Sequence, residues 1–292
     1  MGKIFEMEMG GETVRAELLS DDAPETCAAF ERAMPTTTFG VNAKFAGDET
    51  IAMLPFYTPP GENQVPSVEP GDIGYYPRSQ TLCLFYGEIM PFGYINLFAK
   101  VVPEDLPKAV AAGKRILAAG ALPATVRMGG TTYTEKTQKQ PSSTGNAATD
   151  ALRVATADVW ETEPTDVTAM RTHRRPPMGN LPCIIYSNFD LFWGTENLHV
   201  ARQLADELPV TQAGQVAAAY LRRTEIRLGK WGFPSATDLI SQAADSAESA
   251  ASTAELKDLL DAANVYLNRL GSWVDAMIPW NDLDSSLKLV ES

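Results

Sequence analysis

Few side chains in this sequence join a useful chemistry to an unusual setting, and Glu88 is one of them. It is a single carboxylate between Gly87 and the run Ile89, Met90, Pro91 and Phe92, with Tyr86 and Tyr94 on either side. A carboxylate on a glycine-flanked loop beside phenols can take up or release a proton. A solvated glutamate at a hairpin tip accounts for the same residues. The two histidines are the other titrating groups of interest. His199 closes the segment Asn188-Phe189-Asp190-Leu191-Phe192-Trp193-Gly194-Thr195-Glu196-Asn197-Leu198-His199, read as the first turns of a helix capped by Thr195. The positive helix end disfavours an imidazolium there, whereas Glu196, three residues back on the same face, favours it. Asn188, Asp190, Glu196 and Asn197 crowd an aromatic stretch in which Trp193 offers a flat face to a planar ligand. A surface Glu–His pair is the plainer alternative.

His173 lies in Arg171-Thr172-His173-Arg174-Arg175. Neighbouring cations push such a histidine towards the neutral form, and guanidinium groups grip carboxylates in a two-pronged fork. The cluster reads either as a carboxylate clamp or as a solvated basic loop. Arg78 and Arg127 are further cations of the same kind.

Composition narrows the field. A net charge of −13 lacks the basic face that non-specific nucleic-acid binding needs. No apolar stretch approaches the roughly 20 residues that cross a bilayer, and the N-terminus lacks a signal-peptide core. Neither a membrane nor a nucleic-acid partner is therefore expected, and a homo-oligomer stays open. Cys27, Cys83 and Cys183 are odd in number and far apart, so core thiols in a reducing cytoplasm are expected. No phosphate loop, dinucleotide fingerprint, G-x-S-x-G elbow or H-E-x-x-H occurs, and two histidines cannot build a multi-histidine metal site. No cofactor and no metal are expected.

The elements that must hold these residues come in two kinds. Lys3 to Met9 and Thr13 to Leu19 form a hairpin turned at Gly10-Gly11. Asp22-Ala23-Pro24-Glu25 opens a helix with Asp22 as its cap, and Thr36 to Phe45 and Thr50 to Leu54 follow as strands. From Glu69 to Val102 the run reads strand, turn, strand, loop, strand, with Glu88 on the loop Gly87 to Gly93. Many short strands around one early helix suit a small closed barrel. Asp105 to Ala119 is helical, ended by Gly120, and Ala124 to Met128 is one more strand. Residues 1–128 are assigned to the barrel, 129–150 to a flexible linker or lid, and 151–292 to a connecting segment and a helical bundle. Within the last part, Cys183 to Tyr186 reads as a short strand, Gly229 as a helix stop, and Ser252-x-x-Glu255 as a capping box before a long amphipathic helix.

Glu62-Asn63-Gln64, Pro70-Gly71-Asp72-Ile73-Gly74-Tyr75-Tyr76-Pro77, Phe85-Tyr86-Gly87 and Asn96-Leu97-Phe98-Ala99 resemble the small bacterial cyclophilin-like barrel proteins over residues 1 to about 103. A barrel followed by a linker and a helical bundle, together with the segment from Tyr186 to Glu207, resembles the cucumopine synthases, which form opines. The resemblance implies an α+β fold, a cyclophilin-like β-barrel followed by an α-helical bundle with the active site at their junction. It implies a cofactor-independent Pictet–Spengler condensation of L-histidine with 2-oxoglutarate through an imine. Glu88, His173 and His199 then serve as acid and base. Arg78 and Arg174 hold carboxylates, Tyr86 donates, Trp193 stacks on the imidazole, and Glu196 and Asn197 bind substrate. Two alternatives stand beside it: a barrel that captures a metabolite or peptide without turnover, and a peptidyl-prolyl isomerase. The arginine and F-x-M-Q-type segment of true cyclophilins is missing here.

Overall fold

The computed structural model describes residues 2–43, 46–58, 61–91, 93–130, 143–172 and 181–278, the side chains of 181–183 excepted. The chain divides into two compact units that part between residues 137 and 138.

The first unit begins with β1 (Ile4–Met9) and β2 (Glu12–Leu18). Phe5, Met7 and Met9 alternate with polar residues in β1, as Val14, Ala16 and Leu18 do in β2, so each strand turns one apolar face to the core. Gly10 and Gly11, at φ 55° and 76°, make the tight turn that suits a two-residue hairpin. After them come α1 (Pro24–Ala33), β3 (Thr36–Asn42), β4 (Gly47–Met53), β5 (Gln64–Val65), β6 (Asp72–Tyr76), β7 (Thr81–Ile89) and β8 (Ile95–Val101). A single 3₁₀ turn leads into α2 (Leu106–Ala119), and β9 (Ala121–Met128) returns to the sheet between β1 and β3.

Every pairing is antiparallel, in the order β2-β1-β9-β3-β4-β7-β6-β8. The β2–β8 register Ala16↔Val101 and Leu18↔Ala99 closes these eight strands into a barrel. Short β5 pairs with the start of β8, ahead of the stretch that meets β2, through Gln64↔Asn96. Cys27 and Phe30 of α1, with Ala109, Ala112 and Ile116 of α2, share one core with the inward strand residues. Phe30 sits edge-on to Phe5 at 4.7 Å and 5.3 Å from Phe98. Cys27 and Cys83 are buried free thiols, whereas the Cys183 side chain lies outside the described residues.

Two expectations change here. Asp22 does not cap α1. The Glu62 carboxylate does so from across the chain, accepting the Glu25 and Thr26 amides at 2.8 and 2.7 Å, where a helix N-terminus favours negative charge. Glu88 lies within β7 rather than on a loop, because the pairing with β4 runs on to Gly47↔Ile89.

The second unit is helical: α3 (Ala147–Glu161), α4 (Thr165–Arg171), α5 (Leu181–Glu207), α6 (Val210–Trp231), α7 (Pro234–Glu248) and α8 (Thr253–Asp275). Asn146 caps α3, accepting from the Ala148 and Thr149 amides, and Ser252 caps α8 through the Glu255 amide at 3.2 Å, as the S-x-x-E spacing predicts. α6 and α7 meet along small residues, and a Cβ on Gly214 would stand 2.3 Å from the Ala247 carbonyl.

Cys183 to Tyr186 is helical, not a strand. Ile184, Ser187, Leu191, Leu198, Ala201 and Ala205 are buried at helical spacing, so packing overrides the local β propensity of Ile184-Ile185. Thr195 lies inside α5, where its hydroxyl bonds back to the Phe192 carbonyl at 2.8 Å. Helix α6 runs through Gly229 and ends at Gly232, φ 83°, where the left-handed conformation is met. Among the described residues no helix is long and apolar enough to cross a membrane.

At the centre of the unit, the Arg269 guanidinium of α8 lies between the rings of Trp160, 4.8 Å away, and Trp273, 5.0 Å away, and bonds to the Trp160 carbonyl. Burial pushes it down to about 10, so it stays charged at neutral pH. Desolvated cation–π contacts and a charged hydrogen bond make Arg269→Ala costly, about 2–4 kcal/mol. Arg269→Lys should lose less, because it keeps the charge and gives up the flat stacking. Urea unfolding of the helical unit, followed by tryptophan fluorescence, measures both.

Candidate active site

In the first unit Tyr86 and Glu88 lie where β4 begins and β7 ends, whereas Arg78 lies before the start of β7, at its other end. The exposed Glu88 donates its backbone N–H to Asp48 Oδ2 at 3.1 Å. Two glycines make this approach possible. A Cβ on Gly47, φ 89°, would stand 2.4 Å from the Glu88 carbonyl, and one on Gly87 would stand 2.1 Å from Asp48 Oδ2. Tyr86 is buried with its ring flat against Gly113 of α2, and its hydroxyl donates to Asn42 Oδ1 at 2.6 Å. Burial, then the negative Asp48, pushes the phenol far above its usual value. Tyr86 is therefore a neutral donor at physiological pH and cannot serve as a base. Beyond Glu88 the chain shows apolar side chains to solvent, with Met90 77% and Tyr94 66% exposed. Phe92 lies outside the described residues.

One titrating residue escaped the sequence reading. Glu49 of β4 is only 3% exposed, and burial raises its carboxyl above the ordinary range, opposed by a hydrogen bond with the Cys83 thiol. The signal was available: a period of two puts Glu49 on the same face of β4 as Ile51 and Met53. Ile51 packs against the outer cluster of Cys83, Phe85 and Ile95.

In the second unit the predicted residues lie on α5 but not on one side of it. His199 is 4% exposed and sits mid-helix, so the field of a helix N-terminus, which fades within the first turn, does not act on it. Trp193 is 59% exposed, with Phe192 edge-on at 5.6 Å. Six residues on a helix of 3.6 per turn leave Trp193 and His199 about 120° apart, one facing outward and the other inward. Glu196 and Asn197 are half-buried between them. Asp190, from the same acidic and aromatic stretch, accepts Trp231 Nε1 at 2.5 Å and lies 3.3 Å from the Arg227 guanidinium. Tyr186 lies parallel to Trp231, 6.2 Å between centroids, and Lys230 stands 4.8 Å from that ring.

Arg171 does form a carboxylate fork, but on the chain's own Glu163, at 2.9 and 2.8 Å. Arg127 is held by Glu6 and Glu8 at 2.8 and 2.6 Å. Arg78 is half-buried in the turn after β6. His173, Arg174 and Arg175 lie outside the described residues. Among the described residues no group of three or more His, Cys, Asp or Glu is placed to hold a metal ion.

Comparison with known proteins adds three findings. The family described as protein of unknown function (DUF3830) matches residues 5–128, which is the barrel. No curated protein matches. Among solved structures, McbB in complex with tryptophan superposes with a TM-score of 0.81 at 18% identity, over 97% of this chain and 99% of that one. The two chains share a fold through both units. A hypothetical protein, AF2241 from Archaeoglobus fulgidus, is 22% identical over 44% of this chain and 95% of its own, with a TM-score of 0.36.

The packing around Gly87 yields a direct test. Gly87→Ala pushes Asp48 aside and should cost about 1–3 kcal/mol by overpacking. In an Asp48→Ala background the same substitution should cost less but still something, because the Cβ that remains at position 48 would stand 2.8 Å from the new methyl, and a double-mutant cycle of urea unfolding reads the coupling.

Proposed function

We propose that the chain catalyses a Pictet–Spengler condensation. It joins an amino acid bearing an electron-rich heteroaromatic ring to an oxo acid, with L-histidine and 2-oxoglutarate as the pair and a cucumopine-type opine as the product. The observation that carries this reading is the likeness, through both units, to a protein solved with tryptophan bound. Tryptophan, like histidine, places a primary amine two carbons from a nucleophilic heteroaromatic ring. That is the arrangement from which an imine can close a new ring.

The amine adds to the ketone, the carbinolamine loses water to give an iminium, a ring carbon attacks it, and that carbon then loses its proton. Water loss needs an acid, and the amine and the ring carbon each need a base. In this proposal the exposed Glu88 takes those protons, with His173 and His199 as the further titrating groups, while the buried Tyr86 phenol, whose one proton goes to the Asn42 oxygen, helps to position the strand rather than donating to substrate. Trp193 stacks on the heteroaromatic ring. Arg78 and Arg174 hold carboxylates, of which the two substrates bring three, and Glu196 and Asn197 supply polar contacts. Holding two reactants in register contributes up to ~7–11 kcal/mol of barrier reduction.

Incubation with L-histidine or L-tryptophan and 2-oxoglutarate, read by mass spectrometry, should give the summed mass less one water. Glu88→Gln should lower kcat by about 10²–10⁴-fold with an unchanged circular dichroism spectrum. Product from tryptophan alone would keep the reaction class and remove histidine. Silence with every amino acid and oxo acid tried would leave binding without turnover.

A further inference from the structure

Glu49 presents a physical problem that the proposed reaction does not use. Its carboxyl is 3% exposed, and the side chain it interacts with is the Cys83 thiol, whose sulfur also lies 3.8 Å from the Thr81 carbonyl. The register Glu49↔Phe85 and Ile51↔Cys83 makes Cys83 its diagonal neighbour across β4 and β7, within reach of a long side chain. The cluster that holds Cys83 is largely apolar: Phe85 and Ile95, with Ile51, Val65, Val68 and Ile89 packed against them, and Tyr76 of β6 as its one phenol.

The groups that face it can be named element by element. From β7 comes the Cys83 thiol, itself raised well above its ordinary value by burial and by Glu49. From β3 come Val41, paired with Ile51, and beyond that strand the backbone amide of Ala43, which donates to the Glu49 carbonyl at 2.8 Å. On β4 itself Asp48 turns its carboxylate to the Glu88 amide. Among the described residues, none of these brings a cation to Glu49. Burying an ionised carboxylate without a cation costs several kcal/mol, and such a group takes up a proton instead.

We infer that Glu49 is a proton-binding site of the folded barrel: it is buried as a neutral acid beside the Cys83 thiol, and its ionisation loosens the β4–β7 pair. The sign follows from linkage. A carboxyl raised in the folded state binds more protons folded than unfolded, so its contribution is complete below the unfolded value of about 4.3. That contribution is lost as pH rises through the folded value. The inference stands apart from the proposed condensation, since its test uses no substrate.

The test compares urea unfolding of the wild-type chain and Glu49→Gln at pH about 5 and about 8, where ordinary carboxylates are already ionised. The wild-type midpoint should fall relative to the variant as pH rises, and the variant should be the more stable at the upper pH. Midpoints that shift in parallel would overturn the inference. If Glu49→Gln does not fold, native-state hydrogen exchange on the wild type decides. Corrected for intrinsic rates, the β4–β7 amides should lose up to about tenfold protection per pH unit within the titration, and the β1–β2 amides should not. Equal behaviour of the two strand pairs would overturn it.

Discussion

The barrel exists because β8 can reach back to β2, and one carboxylate secures that closure. Asp105, almost wholly buried where the chain leaves β8 for α2, accepts the Arg15 backbone amide at 3.0 Å, the Arg15 guanidinium at 2.7 Å and Lys108 at 2.8 Å. The Val102 amide returns a bond to the Arg15 carbonyl at 3.0 Å. The hydrogen bond from Arg15 does most to hold this carboxyl far below the usual range. The charge therefore persists through any pH at which the protein works. Closing the sheet removes its edges, and everything placed where β4 begins and β7 ends inherits that rigidity.

Much of the barrel could be read from alternation, and the reason is local. Phe5-Met7-Met9 and Val14-Ala16-Leu18 state their inward face within one strand, and Gly10-Gly11 states the turn. Interactions that span the chain could not be read this way. Glu62 caps α1 from 37 residues away, and nothing near Asp22 announces the competitor. The same holds for Arg171, whose fork is filled by Glu163, and for Arg127, which faces Glu6 across the β1–β9 register. Helix α5 failed for a different reason. Its polar and apolar residues are mixed around the helix rather than set on opposite sides, so periodicity gives little contrast, and Ile184-Ile185 then imitates a strand.

The carboxylates of the barrel show why composition alone does not find a site. Asp105 is buried and charged because cations meet it. Glu62 sits at a helix N-terminus with two amides pointing at it. Glu49 is buried with a thiol, and its proton is the cheapest solution. Glu88 is exposed, with only its backbone fixed by Asp48 and the two glycines. Of these four, Glu88 alone combines a backbone held in place with a carboxylate open to solvent. That combination suits a group exchanging protons with a ligand better than any of the other three settings.

A similar elimination applies to the tryptophans of the helical unit. Trp160 and Trp273 enclose Arg269, so their faces are already taken by the chain's own cation. Trp231 has Tyr186 parallel to it, Lys230 close by and Asp190 on its indole nitrogen. Among the described residues the ring contact of Trp193 is the edge-on one with Phe192, and the side chain is 59% exposed. An indole face in water costs free energy that a flat heteroaromatic ligand would recover by stacking. That is the ground on which the proposed stacking role falls to the exposed Trp193 of α5, whereas His199 is turned inward.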